Sequence, residues 1–82
     1  MVDSSQILWS VVDGEAVILD TSSGHYFSLN SLATEIWQHL HRGDSASQIA
    51  GALAQKYRVE EDVVRRDMDE LLVDLRAAKL WA

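Results

Sequence analysis

Eighty-two residues make one small domain, which can bury only about 60–65% of its unfolded surface. A substrate cavity of roughly 300–1,000 Å³ would consume most of such a core, so the length favours a binding module over a free-standing enzyme. The absence of cysteine excludes disulfides, thiolate nucleophiles and cysteine-based zinc sites, and a net charge of −6 disfavours polyanionic partners. Residues 1–6 are polar and predict a flexible tail, with the folded domain over 7–82. Ile7–Val12 and Glu15–Asp20 predict two strands rich in branched and aromatic side chains. Between them stands Asp13-Gly14, a strong hairpin signal because a type I′ turn needs positive φ at both central residues. The polar loop Thr21-Ser22-Ser23-Gly24 leads to a third strand, His25–Leu29. Short connections favour an antiparallel meander in the order 1-2-3, with the first and third strands at its edges.

At Asn30 the pattern changes from strand-like to helical. Leu32, Ala33, Ile36, Trp37 and Leu40 form one apolar stripe, and the Asn30 side chain can accept from the free N–H groups that open a helix. This helix, Ser31 to His41, should end at Gly43. A second starts at Ser45, where Ser-x-x-Gln is a capping box. Its stripe is Ile49, Leu53 and Tyr57, with Ala46, Ala50 and Ala54 permitting close approach to a neighbour. A third runs from about Glu61 to Ala78, with Glu60, Glu61 and Asp62 at the positive end of its dipole. Its stripe is Val64, Met68, Leu71, Leu75 and Ala78, widened by Leu72, and Leu80-Trp81 should pack back on the core. The fold class is α+β, a three-stranded antiparallel sheet followed by three helices.

The charge is unevenly distributed. Residues 1–41 hold five acids and no lysine or arginine, whereas all seven bases lie beyond them among eight acids. No basic footprint for nucleic acid results. No signal-like segment opens the chain and no apolar run approaches the ~20 residues of a membrane span, so the expected location is cytoplasmic, without membrane contact.

Few residues suggest chemistry. His39 and His41 stand two apart on a helix and cannot chelate one metal, and His25 is isolated, so all three read as surface or rim histidines. No serine, histidine and acid set suggests an activated nucleophile, and no cofactor is required. Trp9, Trp37 and Trp81 read as core. Asp67, Glu70 and Asp74 are spaced by three and four; Glu70 reads as a solvated face, while Asp67 flanks the apolar stripe. The third strand stands out. Gly24–Leu29 lacks the lysine, proline or bulge that usually blunts a sheet edge, and its adjacent aromatics place a ring on each face. Such an edge suits an extended peptide added as a further strand, or a homodimer. The first strand is equally unprotected, so edge logic leaves both edges, and both uses, open.

The order Y-F-S-L-N, A-x-x-I-W, I-A-x-x-L, R-D-x-x-x-x-L and terminal K-L-W resembles the PqqD-like family, the recognition elements for precursors of ribosomally made, modified peptides (RiPPs). The matching residues are Tyr26–Asn30, Ala33, Ile36, Trp37, Ile49, Ala50, Leu53, Tyr57, Arg66, Asp67, Leu72 and Leu80. The resemblance implies a winged helix-turn-helix-like fold and a non-catalytic role, binding the leader segment of a precursor peptide and presenting it to modifying enzymes. It implies a leader strand laid on the third strand and facing the third helix. The implied peptide-binding residues are His25, Tyr26, Phe27, Ser28, Val64, Asp67, Met68, Leu71 and Leu75. The stand-alone lasso-peptide proteins are the most similar, with a separate leader peptidase and an ATP-dependent cyclase as partners and a monomer or weak dimer as the state. Alternatives are a homodimeric interaction module and a winged-helix DNA-binding regulator, whose recognition helix would open here on three acids. Lys79 stands where the family usually has glycine.

Overall fold

The computed structural model describes residues 6–81. Three strands, β1 (Ile7–Val12), β2 (Glu15–Asp20) and β3 (Tyr26–Ser28), precede helices α1 (Ser31–His41), α2 (Ala46–Tyr57) and α3 (Glu61–Ala77). The expected tail falls outside the described residues except for Gln6, whose carbonyl accepts from the Thr21 N–H at 2.8 Å and from its hydroxyl at 3.0 Å.

The sheet is antiparallel in the order β1-β2-β3, as the short connections predict. Asp13 and Gly14 have φ of 52° and 79°, the pair of positive values a type I′ turn requires. The next turn is held by Asp20, whose carboxylate accepts from the Ser22 hydroxyl at 2.7 Å and the Ser22 N–H at 2.9 Å. Those hydrogen bonds keep its pKa below the usual carboxylate value. β3 is shorter than expected, because His25 and Leu29 sit at its ends as single-bond anchors: the His25 carbonyl accepts from Asp20 and the Leu29 N–H donates to Ala16.

Two helices start at side-chain caps, α3 opens on Glu60 without one, and all three stop for a local reason. The Asn30 side chain accepts from the Ala33 N–H at 2.8 Å, and Ser45 and Gln48 form the reciprocal capping box. All three ends carry the paired bonds of a Schellman turn or its outer bond. Asp44 N–H donates to the His39 carbonyl, Val59 to Ala54 and Leu80 to Leu75. Only the first uses glycine, Gly43 at φ 85°. Arg58 and Lys79 adopt the same left-handed backbone at φ 56° and 59°, so Lys79 keeps the geometry glycine would have given, at a cost of about 1 kcal/mol.

The core lies between one sheet face and the helices. Ile18, Ile36, Trp37, Ile49, Val64 and Leu75 are fully buried, each worth about 1.5–3 kcal/mol or more relative to exposure. Thr34 is the buried polar exception: its hydroxyl accepts from the Ala16 N–H at 2.8 Å and donates to the Leu29 carbonyl at 3.4 Å. It therefore ties α1 to β2 and to the exit of β3. Trp37 is buried, but Trp9 is 38% exposed and Trp81 half-buried. The three indoles surround His41, whose ring centroid lies 4.2 Å from that of Trp37. His41 is an exposed rim histidine, as its position predicts, that also packs in an aromatic cluster, and partial burial of its ring holds its pKa below the usual value.

Candidate functional site

Sheet pairing decides which backbone groups of β3 are free. His25 and Leu29 bond inward to β2, so in an antiparallel ladder Phe27 does the same, and the N–H and C=O groups of Tyr26 and Ser28 point away from the sheet. By the same alternation Ile7, Trp9 and Val11 aim theirs off the far edge, since Gln6 bonds inward to Thr21. Both edges are open.

The β3 edge borders a groove walled by α3. A cavity of about 360 Å³ has Phe27, Ser28 and Leu29 on the strand side, and Leu32, Ala33 and Ile36 of α1 as its floor. Asp67, Glu70, Leu71 and Asp74 of α3 form the opposite wall. The floor is apolar and the helix wall is acidic. Among the described residues, none of the three carboxylates has a hydrogen-bond or ion-pair partner. Their mutual repulsion at i, i+3 and i+4 spacing costs the free helix about 0.2–0.5 kcal/mol per pair.

The residues singled out in the sequence separate into three groups. Phe27, Ser28, Asp67 and Leu71 line the groove. Val64, Met68 and Leu75 lie beneath it in the core, at 0%, 3% and 0% exposure. His25 is exposed ahead of the strand, and Tyr26, 73% exposed, projects from the opposite sheet face because its neighbour Phe27 points inward. The α1 floor was not anticipated, although Leu32, Ala33 and Ile36 belong to the apolar stripe already visible in the sequence. Glu70 is exposed as expected, and it also borders the groove with Asp74.

A second cavity of about 360 Å³ opens on the other side of α1, where Val11, Gly14 and Ser31 meet Glu35, Lys56 and Tyr57. Its charged groups are paired with one another, since Lys56 and Tyr57 both donate to the Glu35 carboxylate. Burial pushes the Glu35 pKa up, but these hydrogen bonds and the Lys56 charge outweigh it and leave it lowered. The bond to Glu35, with burial, raises the Tyr57 phenol. This cluster staples α1 to α2. No group of histidines and acids among the described residues could hold a metal, and no helix there is long and apolar enough to cross a membrane.

The fold and groove together define a winged-helix-like domain with one open strand edge facing a helix. The family model described as coenzyme PQQ synthesis protein D (PqqD) matches residues 15–80, and the chain belongs to this family, among the PqqD-like recognition elements. Two solved structures are similar over nearly their whole length. TbiB1 in complex with the TbiA(beta) leader peptide is 30% identical with a TM-score of 0.84, covering 98% of this chain and 93% of that one. A lasso peptide synthetase B1 complexed with the leader peptide is 34% identical with a TM-score of 0.83, covering 90% and 87%. Comparison with curated proteins finds no match.

Proposed function

We propose that this protein is a non-catalytic recognition element that binds the leader of a ribosomally made precursor peptide, of the lasso class, along β3. The observation that carries the reading is the coincidence of an open β3 edge with a groove walled by α3, in a chain whose structural neighbours are leader-peptide complexes. Tyr26 and Ser28 supply backbone pairing, which binds any extended peptide. Phe27, Leu71 and the α1 floor supply apolar pockets, and Asp67 an acceptor at the rim. His25 lies where the peptide strand would end. Val64, Met68 and Leu75 contribute by seating α3. A separate leader peptidase and an ATP-dependent cyclase would act on the bound precursor in the cytoplasm, with the domain working as a monomer or weak dimer. A DNA-binding role finds no support in the charges, since α3 opens on Glu60, Glu61 and Asp62.

The test is a titration of isotope-labelled protein with the leader of the precursor encoded beside its gene. Amide shifts should concentrate on residues 24–29 and 64–75. Shifts confined to Ile7–Val12 would put the peptide on the wrong edge for this proposal. Asp67→Ala should weaken binding by about 1–3 kcal/mol, the range of a hydrogen bond involving a charged group, with the melt unchanged.

A further inference from the structure

The acidic wall says something about the peptide itself. Asp67, Glu70 and Asp74 recur at i, i+3 and i+7, one stripe about 10 Å long on α3, and all three border the groove. They are unpartnered among the described residues, and the fold offers them no cation from across the gap. The facing strand and floor come from residues 27–36, inside a stretch of 41 residues without a lysine or arginine. Arg66, one turn before Glu70, makes no ion pair with it. The apolar floor completes the arrangement, because a lysine or arginine can lay its methylenes over Leu32, Ala33 and Leu71 while its head reaches a carboxylate. The acids alone would be an ordinary solvated face. What gives them a ligand is the open β3 edge across the groove, in a fold whose neighbours are solved in complex with leader peptides.

We propose that this groove selects peptides carrying lysine or arginine on the strand face turned toward α3, with Asp67, Glu70 and Asp74 as the specificity-determining residues. The inference rests on the leader-binding reading above. Backbone pairing to β3 is blind to sequence, whereas the charged wall discriminates: an acid at the same peptide position meets three uncompensated carboxylates.

The experiment is a display selection of random 12-residue peptides on the full chain, followed by titration of the consensus peptide. Enriched peptides should carry lysine or arginine at alternate positions. The consensus should bind the triple variant Asp67→Asn, Glu70→Gln, Asp74→Asn about tenfold more weakly, as expected for two or three partly solvated ion pairs. Raising salt from about 0.05 M to about 0.3 M should weaken the wild type several-fold and leave the triple variant within about twofold. A control with the same charge change off the groove, Glu60→Gln, Glu61→Gln, Asp62→Asn, should bind within about twofold of the wild type. Peptides that shift the β3 amides but show no preference for bases would overturn this inference and leave leader binding standing. Equal loss in the control would reduce the effect to net charge and overturn it likewise. Failure to enrich any peptide, or shifts confined to β1, would overturn both readings. Neutralising the acids removes repulsion within α3, so the variant should melt no lower than the wild type.

Discussion

The two edges of the sheet differ less in themselves than in what stands beside them. β1 is the longer, six residues without a charge, and exposes Leu8 and Val12 at 59% and 62%. β3 is three residues long. By length and apolarity β1 is the better template for a further strand, yet it is β3 that faces α3 across a groove, while Val11 of β1 borders the cavity that holds the Glu35, Lys56 and Tyr57 cluster. An open edge gives affinity without selectivity, and a second wall converts it into a site that reads side chains. The same comparison explains why sequence patterning could not choose between them: both segments lack lysine and proline, and the wall comes from α3, more than thirty residues further along.

The largest effect should come from removing the support of that wall. Leu75 is fully buried beneath the groove, so Leu75→Ala should cost about 2–5 kcal/mol in chemical denaturation. A loss below about 1 kcal/mol would mean that α3 is not seated as described. The sharpest test of the two edges is a pair of prolines. Ser28 and Val11 both aim their N–H groups off the sheet, where proline is tolerated. Ser28→Pro should weaken leader binding by about tenfold or more, through a lost donor and a ring in the path of the added strand, whereas Val11→Pro should leave it within about twofold. The reverse outcome would exchange the roles of the edges.

A smaller effect concerns the end of the wall. Lys79→Gly relieves a left-handed lysine at φ 59° and should stabilise the domain by about 0.5–1 kcal/mol in thermal melts. The smallest concerns β1. Burial favours neutral His41, so its folded pKa lies below the ordinary 6.5. Its stabilising contribution is therefore complete above that value and is lost as pH falls toward the depressed one. Because the ring keeps contact with water, the loss should stay below about 1 kcal/mol. Between about pH 7.5 and pH 5.5, the protection factors of the inward-bonded amides of Leu8 and Ser10 should fall more than that of Phe27, and His41→Phe should abolish the difference.

Much of the fold was legible because its signals are local. Asp13-Gly14, Asn30 and the Ser45–Gln48 pair each act within four residues, and the structure has the turn and both caps where those residues stand. The ends of α2 and α3 were harder to read, since Arg58 and Lys79 hold left-handed conformations that composition assigns to glycine. In the groove, the apolar stripe of α3 could be found by period alone, but not which members face the gap. Leu71 lines it while Val64, Met68 and Leu75 are covered. The floor depends on the angle at which α1 leaves β3. One tie that helps to hold that angle is Thr34, whose hydroxyl bonds Ala16 across 18 positions, a contact no local pattern announces.

Thr34 has a consequence for the timing of recognition. By holding Ala16 and Leu29 from one hydroxyl, it makes the strand side and the floor of the groove a single body, already in shape before any peptide arrives. Under the proposed function, the entropy of ordering then falls on the incoming chain alone. Association is paced by encounter and strand alignment rather than by an opening step in the protein, and differences among leaders appear as differences in how long each one stays.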